Sequence, residues 1–287
     1  MAVGLLMVTG RASAMGQVVR AAAAPVPDAG APVWQGEAHG VVLRASAGDV
    51  TLARAGGTAP FFSYRAFHEE AFRRELTEAR GDGPASDVAG CTRKVVASPV
   101  AWTGSSLTFR ETVETSCPRE AHPAGESRFR TFVIAEATTT ARPMSAKDAT
   151  AWFDERAFFA ALGKDALVKR AMAGVSPPPR TLDALVSALA ETAPVVEGEG
   201  KACYAFPDDL PTRVVPDHLE KDKLAVRVAL PGTAVCRDHL TELGLLVPMA
   251  RAASVGLRDA GAGKAGFLRR NVPPAIKARP VEFELRP

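Results

Sequence analysis

The four cysteines, Cys91, Cys117, Cys203 and Cys236, constrain the fold of this chain more than any other feature of its sequence. None of them forms a C-x-x-C pair, which argues against a zinc ribbon or a thioredoxin-like site. An even number of cysteines is typical of disulfides formed outside the cytosol when a leader segment precedes them, as described below for residues 1–14. Four cysteines allow three connectivities, and their spacing favours Cys91–Cys117 with Cys203–Cys236. The alternative is four reduced, buried thiols in a cytosolic protein.

The spacing argument rests on a hairpin between the first two cysteines. The strand-like runs Lys94–Trp102 and Leu107–Thr115 flank the turn Thr103-Gly104-Ser105. Position 104 is the midpoint of 91 and 117, so regular pairing of the strands places these two cysteines opposite each other. Cys203 and Cys236 then pair, and they tie the segment after Cys203 to the strand Leu224–Leu230 or to the loop behind it.

The amino-terminal residues have the pattern of a processing segment. An apolar run at Ala2–Val8 is followed by Ala12-Ser13-Ala14, which matches the A-x-A cleavage pattern. No basic residue precedes the apolar run, so we expect that the true start lies upstream. We predict a signal peptide with a truncated start at 1–14, an Ala/Pro-rich tether at 15–33 and a periplasmic or secreted location. An ordinary apolar amino terminus is the alternative.

Periodicity in the remaining sequence predicts strands, then helices, then strands. Strand patterns occupy 34–45, 49–54, 61–64 and 128–139, and a helical pattern runs over 67–79. Helices are predicted at 146–162, with Ser145 and Asp148 as a capping box, at 165–172 and after Thr181. Strands return at 223–230, 243–248 and 281–286. We predict an α+β fold with a mainly antiparallel sheet, a helix cluster in the middle of the chain and two disulfides. Residues 34–287 form a single domain, which could contain a strand-rich subdomain up to about residue 90.

Charge and hydropathy argue against a nucleic-acid partner and against a membrane-spanning segment. The 287 residues include 35 basic and 32 acidic side chains, for a formal charge of +3. The basic residues are scattered and matched by acids, so the chain has no nucleic-acid footprint. No run of 18 apolar residues exists, so no transmembrane span is predicted.

Two motif-like stretches fail as catalytic or cofactor sites. Gly261–Gly266 matches G-x-G-x-x-G but lacks the strand before it and the long helix after it that hold a pyrophosphate. His68-Glu69-Glu70 begins like a zincin helix, but Phe72 replaces the second histidine. No G-x-S-x-G elbow exists. We therefore predict no cofactor, no metal and no assigned catalytic residue, and we expect the five dispersed histidines at the surface or in loops.

The polar segment 208–222 holds the candidate ligand-contact residues. They are Asp208, Asp209, Asp217, His218 and Glu220. Paired carboxylates carry out acid–base chemistry or hold a cation, but the spacing does not match an EF-hand loop. Solvated turn residues between two strands are the simpler interpretation.

Residues 90–250 resemble an extracytoplasmic module of known sequence pattern. The helix segment Trp152–Leu162 is followed by a polar turn, by Tyr204-Ala205-Phe206 and by the strand Leu224–Leu230. In this order the chain resembles the domain of unknown function found in lysozyme-sensing anti-sigma factors and in some peptidoglycan deacetylases. The family's Pro-Tyr-Ala-x-Gly stretch is absent, and Leu230–Cys236 stands in its place. The resemblance implies an α+β recognition domain without catalysis of its own.

Three functional hypotheses follow. The first is an exported recognition domain that binds a cell-envelope glycan or a lysozyme-like protein. The alternative is a cell-envelope hydrolase that uses carboxylates of the segment 208–222. A structural envelope protein without a small ligand is a further alternative. The missing catalytic motifs favour a binding protein over an enzyme, and the sequence leaves the oligomeric state open.

Overall fold

A computed structural model describes residues 32–82, 90–118, 123–135, 139–197, 202–233, 236 and 239–287. The predicted signal peptide and the tether up to residue 31 lie outside these residues. The model has an α+β fold with antiparallel sheets, a group of helices in the middle of the chain and two disulfides. The predicted fold class is therefore confirmed. Elements are numbered below in chain order.

The first hydrophobic core lies between two antiparallel sheets and a long helix, α1. One sheet has the order β1-β2-β3-β4, and the other has the order β14-β5-β6-β7-β8. The elements around this core are β1 (Trp34–Ala38), β2 (Val41–Ala45), β3 (Val50–Arg54), β4 (Pro60–Ser63), α1 (Tyr64–Asp82), β5 (Thr92–Trp102), β6 (Ser106–Ser116), β7 (Ala124–Ala135), β8 (Thr140–Pro143), α7 (Pro274–Ala278) and β14 (Val281–Leu285).

The second core lies between the middle helices and a three-stranded sheet of order β11-β12-β13. Its elements are α2 (Ala146–Ala149), α3 (Glu155–Leu162), α4 (Ala166–Ala171), α5 (Leu182–Ala190), β9 (Val195–Glu197), β10 (Ala202–Tyr204), β11 (Val214–Glu220), β12 (Lys223–Pro231), β13 (Leu240–Pro248) and α6 (Ser254–Gly261). Strands β9 and β10 form a separate two-stranded ribbon.

The chain returns from the second core to the first. Phe267, which follows α6, pairs with Trp102 at the end of β5 through two backbone hydrogen bonds of 2.7 and 2.8 Å. Strand β14 then adds to the edge of β5. Core residues of the first sheet, such as Leu43 and Leu52, pack in the same cluster as Phe283 of β14. Within the described residues, the segment up to 90 therefore has no core of its own.

Two predicted elements are each divided in the structure. The helix predicted over 146–162 is two helices, because the chain turns after α2 and Asp154 starts α3 by accepting a hydrogen bond from the Ala157 amide. The capping box of Ser145 and Asp148 is present at the start of α2. The strand predicted over 34–45 is the hairpin β1–β2, whose turn at His39 and Gly40 has positive φ at both residues.

Both predicted disulfides are present, Cys91–Cys117 and Cys203–Cys236. In the hairpin β5–β6, Thr92 pairs with Ser116, so the first two cysteines lie opposite each other as the midpoint argument predicts. Cys236 lies in the loop after β12, and the second bond joins this loop to β10. The cysteine spacing together with the predicted hairpin selected this connectivity.

Candidate functional site

The structure separates the five predicted site residues into two places. Asp217, His218 and Glu220 lie together on β11. Asp209 is half-buried and forms an ion pair with Arg213, and Asp208 is exposed. The segment is not a solvated turn throughout, because β11 occupies 214–220 and Asp217 is only 2% exposed. That part of the sequence interpretation is wrong.

A β-bulge accounts for the burial of Asp217. Pro216 pairs with Val226 and His218 pairs with Ala225, so Asp217 has no partner across β11 and β12. A bulge re-aims a side chain that regular pairing would send to the other face. The re-aimed carboxylate accepts a hydrogen bond from Arg269 Nη1 at 3.3 Å and lies 3.4 Å from Arg270 Nε.

The groups around Asp217 hold it as an anion. Burial acts to raise the pKa of this carboxyl, but the contact with His218 Nδ1 at 3.0 Å and the charges of Arg269 and Arg227 outweigh burial and lower the pKa below its ordinary value. The other ring nitrogen of His218, Nε2, lies 3.1 Å from Glu220 Oε1. A carboxyl group whose pKa is lowered is ionised at neutral pH and is poorly suited to act as a general acid.

A second buried carboxylate, Glu111, lies beneath α1. Every second side chain of β6 points to the same face of the sheet, and these are Leu107, Phe109, Glu111 and Val113. Glu111 therefore stands at a core position. Its exposed side-chain fraction is 0%. The buried position requires partners, because an unpaired carboxylate in an apolar environment is strongly destabilising.

Four side chains surround the Glu111 carboxylate. Arg128, directly opposite on β7, donates from Nε to Oε1 at 2.7 Å, and Arg130 donates from Nε to the same oxygen at 2.6 Å. The hydroxyl of Tyr64 donates to Oε2. His68 Nε2 lies 3.4 Å from Oε2 without the alignment of a hydrogen bond, and it has no other partner among the described residues.

The same contacts set the charge states. Burial acts to raise the pKa of Glu111, but His68, Arg128 and Tyr64 together lower it below its ordinary value. Burial, together with the adjacent Glu111 charge, raises the pKa of Tyr64 well above its ordinary value. Glu111 is therefore an anion and Tyr64 a neutral hydrogen-bond donor at neutral pH.

The Glu111 cluster continues into the second core as a chain of ion pairs. Arg128 Nη1 binds Glu126 Oε2 at 3.0 Å. The other oxygen of Glu126 binds Arg213 Nη1, and Arg213 Nε binds Asp209. The predicted residue Asp209 is thus the far end of a charged network whose centre, Glu111, was not among the predicted site residues.

This network forms one side of an open groove beside α1, which we name the α1 groove. It has a volume of about 550 Å³. Its cationic side chains are Arg74, Arg93, Arg128 and Arg130, and its carboxylates are Glu75 and Glu126. Glu111 lies beneath these side chains. With Glu111 counted, the group has four cations and three carboxylates, which is a net charge of +1. The half-buried ring of Phe67 adds an apolar surface, with the Arg130 guanidinium 5.3 Å from the ring centroid.

The sequence did contain a signal for the residues that were missed. Glu111 interrupts the apolar side of an alternating strand, and Arg128 and Arg130 share one face of β7 with the buried Phe132. Charged residues at core-facing positions of adjacent strands point to a buried ion pair. His68, which we expected at the surface, is 2% exposed because α1 turns it toward the sheet.

The geometry of the described residues does not support the other candidate sites. The loop Gly261–Gly266 follows a helix, α6, instead of preceding one, which is the reverse of a dinucleotide-binding arrangement. In the part of the chain that the structure describes, no group of three His, Cys, Asp or Glu side chains is placed to hold a metal ion.

Comparison of the chain with protein-family models, with curated proteins and with solved structures found no match. The resemblance to the module of lysozyme-sensing anti-sigma factors therefore stays a prediction. No helix among the described residues is long and apolar enough to cross a membrane. The two disulfides are compatible with an exported protein.

Proposed function

We propose that this chain is an exported recognition domain that binds a carboxylate-bearing glycan of the cell envelope in the α1 groove. The observation that carries the proposal is the fixed position of Arg128 and Arg130 beside the groove. Both are held by the buried carboxylate of Glu111, so their guanidinium groups are ordered before a ligand arrives. Preordered donors lose little conformational entropy on binding.

The donors that remain suit a carboxylate and sugar hydroxyls. Arg130 contacts Glu111 through Nε, and the fork of the guanidinium carries further N–H donors on its Nη atoms. Arg74 is exposed at the edge of the groove, where its only ion pair among the described residues is a contact of 4.0 Å with Glu78. Arginine forks bind carboxylates with two parallel hydrogen bonds, which gives geometric specificity.

The shape of the groove favours a glycan over a protein partner. A volume of about 550 Å³ lies within the range of small-ligand sites, whereas a stable protein interface needs a broad surface. Phe67 offers an aromatic ring against which the apolar face of a sugar can pack. The disulfides and the predicted leader support an extracytoplasmic location, in which envelope glycans are accessible.

The test compares two glycans that share a backbone. Soluble peptidoglycan glycan strands whose stem peptides have been removed by an amidase carry a free lactyl carboxylate on alternate sugars, and chitotetraose has the same β-1,4 linkage without it. We expect calorimetric titration to show binding of the first and at least about tenfold weaker binding of the second, since a charge-assisted contact is lost. Equal affinity for both, or binding of neither, would contradict the proposal. Tight binding of a c-type lysozyme instead would favour the protein partner.

Adjacent arginines on α1 provide a matched pair of variants. Arg74→Gln removes a groove cation, and we expect it to weaken peptidoglycan binding by about threefold, because the side chain is exposed. Arg73→Gln removes an exposed cation that pairs with Glu70 and does not line the α1 groove, so affinity should stay unchanged. Arg130→Gln should have the larger effect, and its folding is checked by thermal unfolding.

A further inference from the structure

A separate cavity of about 350 Å³, which we name the β11 cup, lies between β11, the end of α6 and the turn Arg269–Asn271. It contains His218 and Asp217, two of the residues predicted from the sequence, and it is distinct from the α1 groove. The proposed function does not use the cup. Its lining combines cations at the edge with an apolar wall, and each part has a structural cause.

The cations at the edge are Arg258 and Arg270. Arg258 is exposed on the last turn of α6 and has no ion pair with any residue that the structure describes. Arg270 is 60% exposed, and its Nε lies 3.4 Å from Asp217 Oδ2. Two guanidinium groups therefore border the same small cavity with donors to spare.

The negative charge of Asp217 does not cancel these cations. Arg269 Nη1 lies 3.3 Å and Arg227 Nε 3.6 Å from its carboxylate, so these two arginines share its charge with Arg270. Arg269 also binds Glu242 at 2.9 Å, and Glu220 is matched with His218. Counting arginines and carboxylates alone, four arginines (Arg227, Arg258, Arg269 and Arg270) stand in and around the cup against three carboxylates (Asp217, Glu220 and Glu242), an excess of one positive charge.

The apolar wall is formed by Leu219 and Leu268. Gly261 ends α6 against this wall, and a Cβ at that position would lie 3.1 Å from Leu219 Cδ1 and 3.5 Å from Leu268 Cδ1. The absence of a side chain thus lets the helix end approach β11 closely and keeps the cup small. The cup can hold a short hydrocarbon group beside its charged edge.

The carbonyl groups at the end of α6 do not oppose an anion in the cup. Asn271 Nδ2 donates to Ala260 O at 2.8 Å and lies 3.4 Å from Gly261 O. Its Oδ1 accepts from the Leu268 amide at 2.7 Å. The partial negative charge of the helix end is therefore bound by an amide, and Arg258 on the same turn offsets it further.

We propose that the β11 cup binds a small organic carboxylate, with the carboxylate between Arg258 and Arg270 and a short apolar group against Leu219 and Leu268. Arginine forks match the planar geometry of a carboxylate, and the wall excludes water from its hydrocarbon part. The cup is too small for an oligosaccharide of the kind proposed for the α1 groove. The two sites are therefore expected to bind independently.

The experiment titrates the full chain with butyrate by NMR and by calorimetry. The comparison probes are butyramide, which has the same shape without the charge, and inorganic phosphate, which has charge without the apolar group. We expect saturable butyrate binding with a Kd of about 1 mM or tighter, and at least about tenfold weaker binding of butyramide. No saturable butyrate binding, or equal binding of butyramide, overturns the proposal. A preference for phosphate over butyrate overturns the assignment to an organic carboxylate.

Variants locate the site. Arg258→Gln should weaken butyrate binding by about fivefold or more, and it leaves the Asp217 cluster intact, so loss of folding is not expected. Arg251→Gln is the matched control, because Arg251 is an exposed arginine of the preceding turn that does not line the cup. Arg74→Gln, the α1 groove variant, should leave butyrate binding unchanged. Equal effects of Arg258→Gln and Arg251→Gln would overturn the proposal, whether or not the α1 groove binds a glycan.

Discussion

Glu111 and Asp217 are both buried carboxylates held by arginines, but they reach that state in different ways. Glu111 stands at a regular inward position of β6, and its partner Arg128 is the residue opposite on β7. Asp217 stands on a bulge of β11, and Arg269 and Arg270 reach it from a turn far along the chain. A regular sheet position can be inferred from alternation in the sequence, whereas a bulge breaks the alternation that would have revealed it.

The two clusters also differ in depth. Glu111 has an exposed side-chain fraction of 0% and contacts a tyrosine and a histidine of α1. The arginines that hold Glu111, Arg128 and Arg130, are 25% and 19% exposed. Asp217 is nearly as buried itself, and its partner Arg269 is similarly exposed at 27%, but Arg227 and Arg270 are 34% and 60% exposed. Water therefore screens the Asp217 contacts more effectively, and we expect Glu111 to matter more for stability.

The largest expected effect is that of Glu111→Ala. The substitution leaves the guanidinium groups of Arg128 and Arg130 and the hydroxyl of Tyr64 without their shared acceptor. We expect the free energy of unfolding to fall by about 3–5 kcal/mol, measured by urea unfolding. Glu114→Ala, on the same strand, should cost less than about 1 kcal/mol. The depth argument is wrong if the two variants are equally stable.

The next effect concerns the covalent links, one of which lies in the first core. Replacing Cys91 and Cys117 by alanine opens a separation of 26 residues, and replacing Cys203 and Cys236 opens one of 33. Loop entropy predicts a loss of about 3–4 kcal/mol for either pair. Thiol counting should find no free thiol before reduction and four after it. Four free thiols in the native protein would contradict the disulfide assignment.

Asp217→Asn is expected to cost less than the loss of Glu111, at about 1–3 kcal/mol. Asparagine keeps the shape and one acceptor but removes the charge that Arg227, Arg269 and Arg270 share. Asp222→Asn, in the exposed turn before β12, is the control and should be near neutral. Under the proposed function, peptidoglycan binding by Asp217→Asn stays unchanged. A hydrolytic activity of the wild type that this folded variant loses would support the hydrolase alternative.

The smallest expected effect is on the pH dependence of the free energy of unfolding at acidic pH. The pKa values of Glu111 and Asp217 are lowered in the folded state from ordinary values of 4.5 and 3.8. Each carboxylate therefore contributes stability that is present above its ordinary pKa and lost as the pH falls through its lower folded value. We expect acid unfolding of Glu111→Gln and of Asp217→Asn to show a shallower pH dependence below about pH 4.5 than that of the wild type. An unchanged slope for both variants would exclude these groups as the cause.

The elements that the sequence failed to predict share a physical cause. Strand β11 was obscured because Pro216, Asp217 and His218 have low strand propensity, and the strand forms only because β12 pairs with it. The division of the helix over 146–162 depends on Asp154. Its side chain accepts a hydrogen bond from a backbone amide at the start of α3, and this cap is more stable than an aspartate inside a continuous helix. Local patterns do not decide such competitions.

The candidate sites show the same limit. The sequence placed Asp217, His218 and Glu220 in one segment, and they do lie together, because neighbours on one strand stay close in any fold. It did not place Arg258 or Arg270 beside them, since only the return of the chain after β13 brings α6 and its following turn to β11. The α1 groove was missed for a related reason, because its arginines come from α1, β5 and β7.

The sequence by itself determined the fold class, the hairpin β5–β6 and the pairing of all four cysteines. These features depend on hydrophobic periodicity over a few residues and on the equal spacing of two cysteines from a turn. Both can be read from neighbouring residues of the sequence. Only the tertiary structure decided which partners hold the buried charges, how the chain returns from the second core to the first, and where the α1 groove and the β11 cup open. Those features depend on contacts between distant segments, whose energies exceed local preferences.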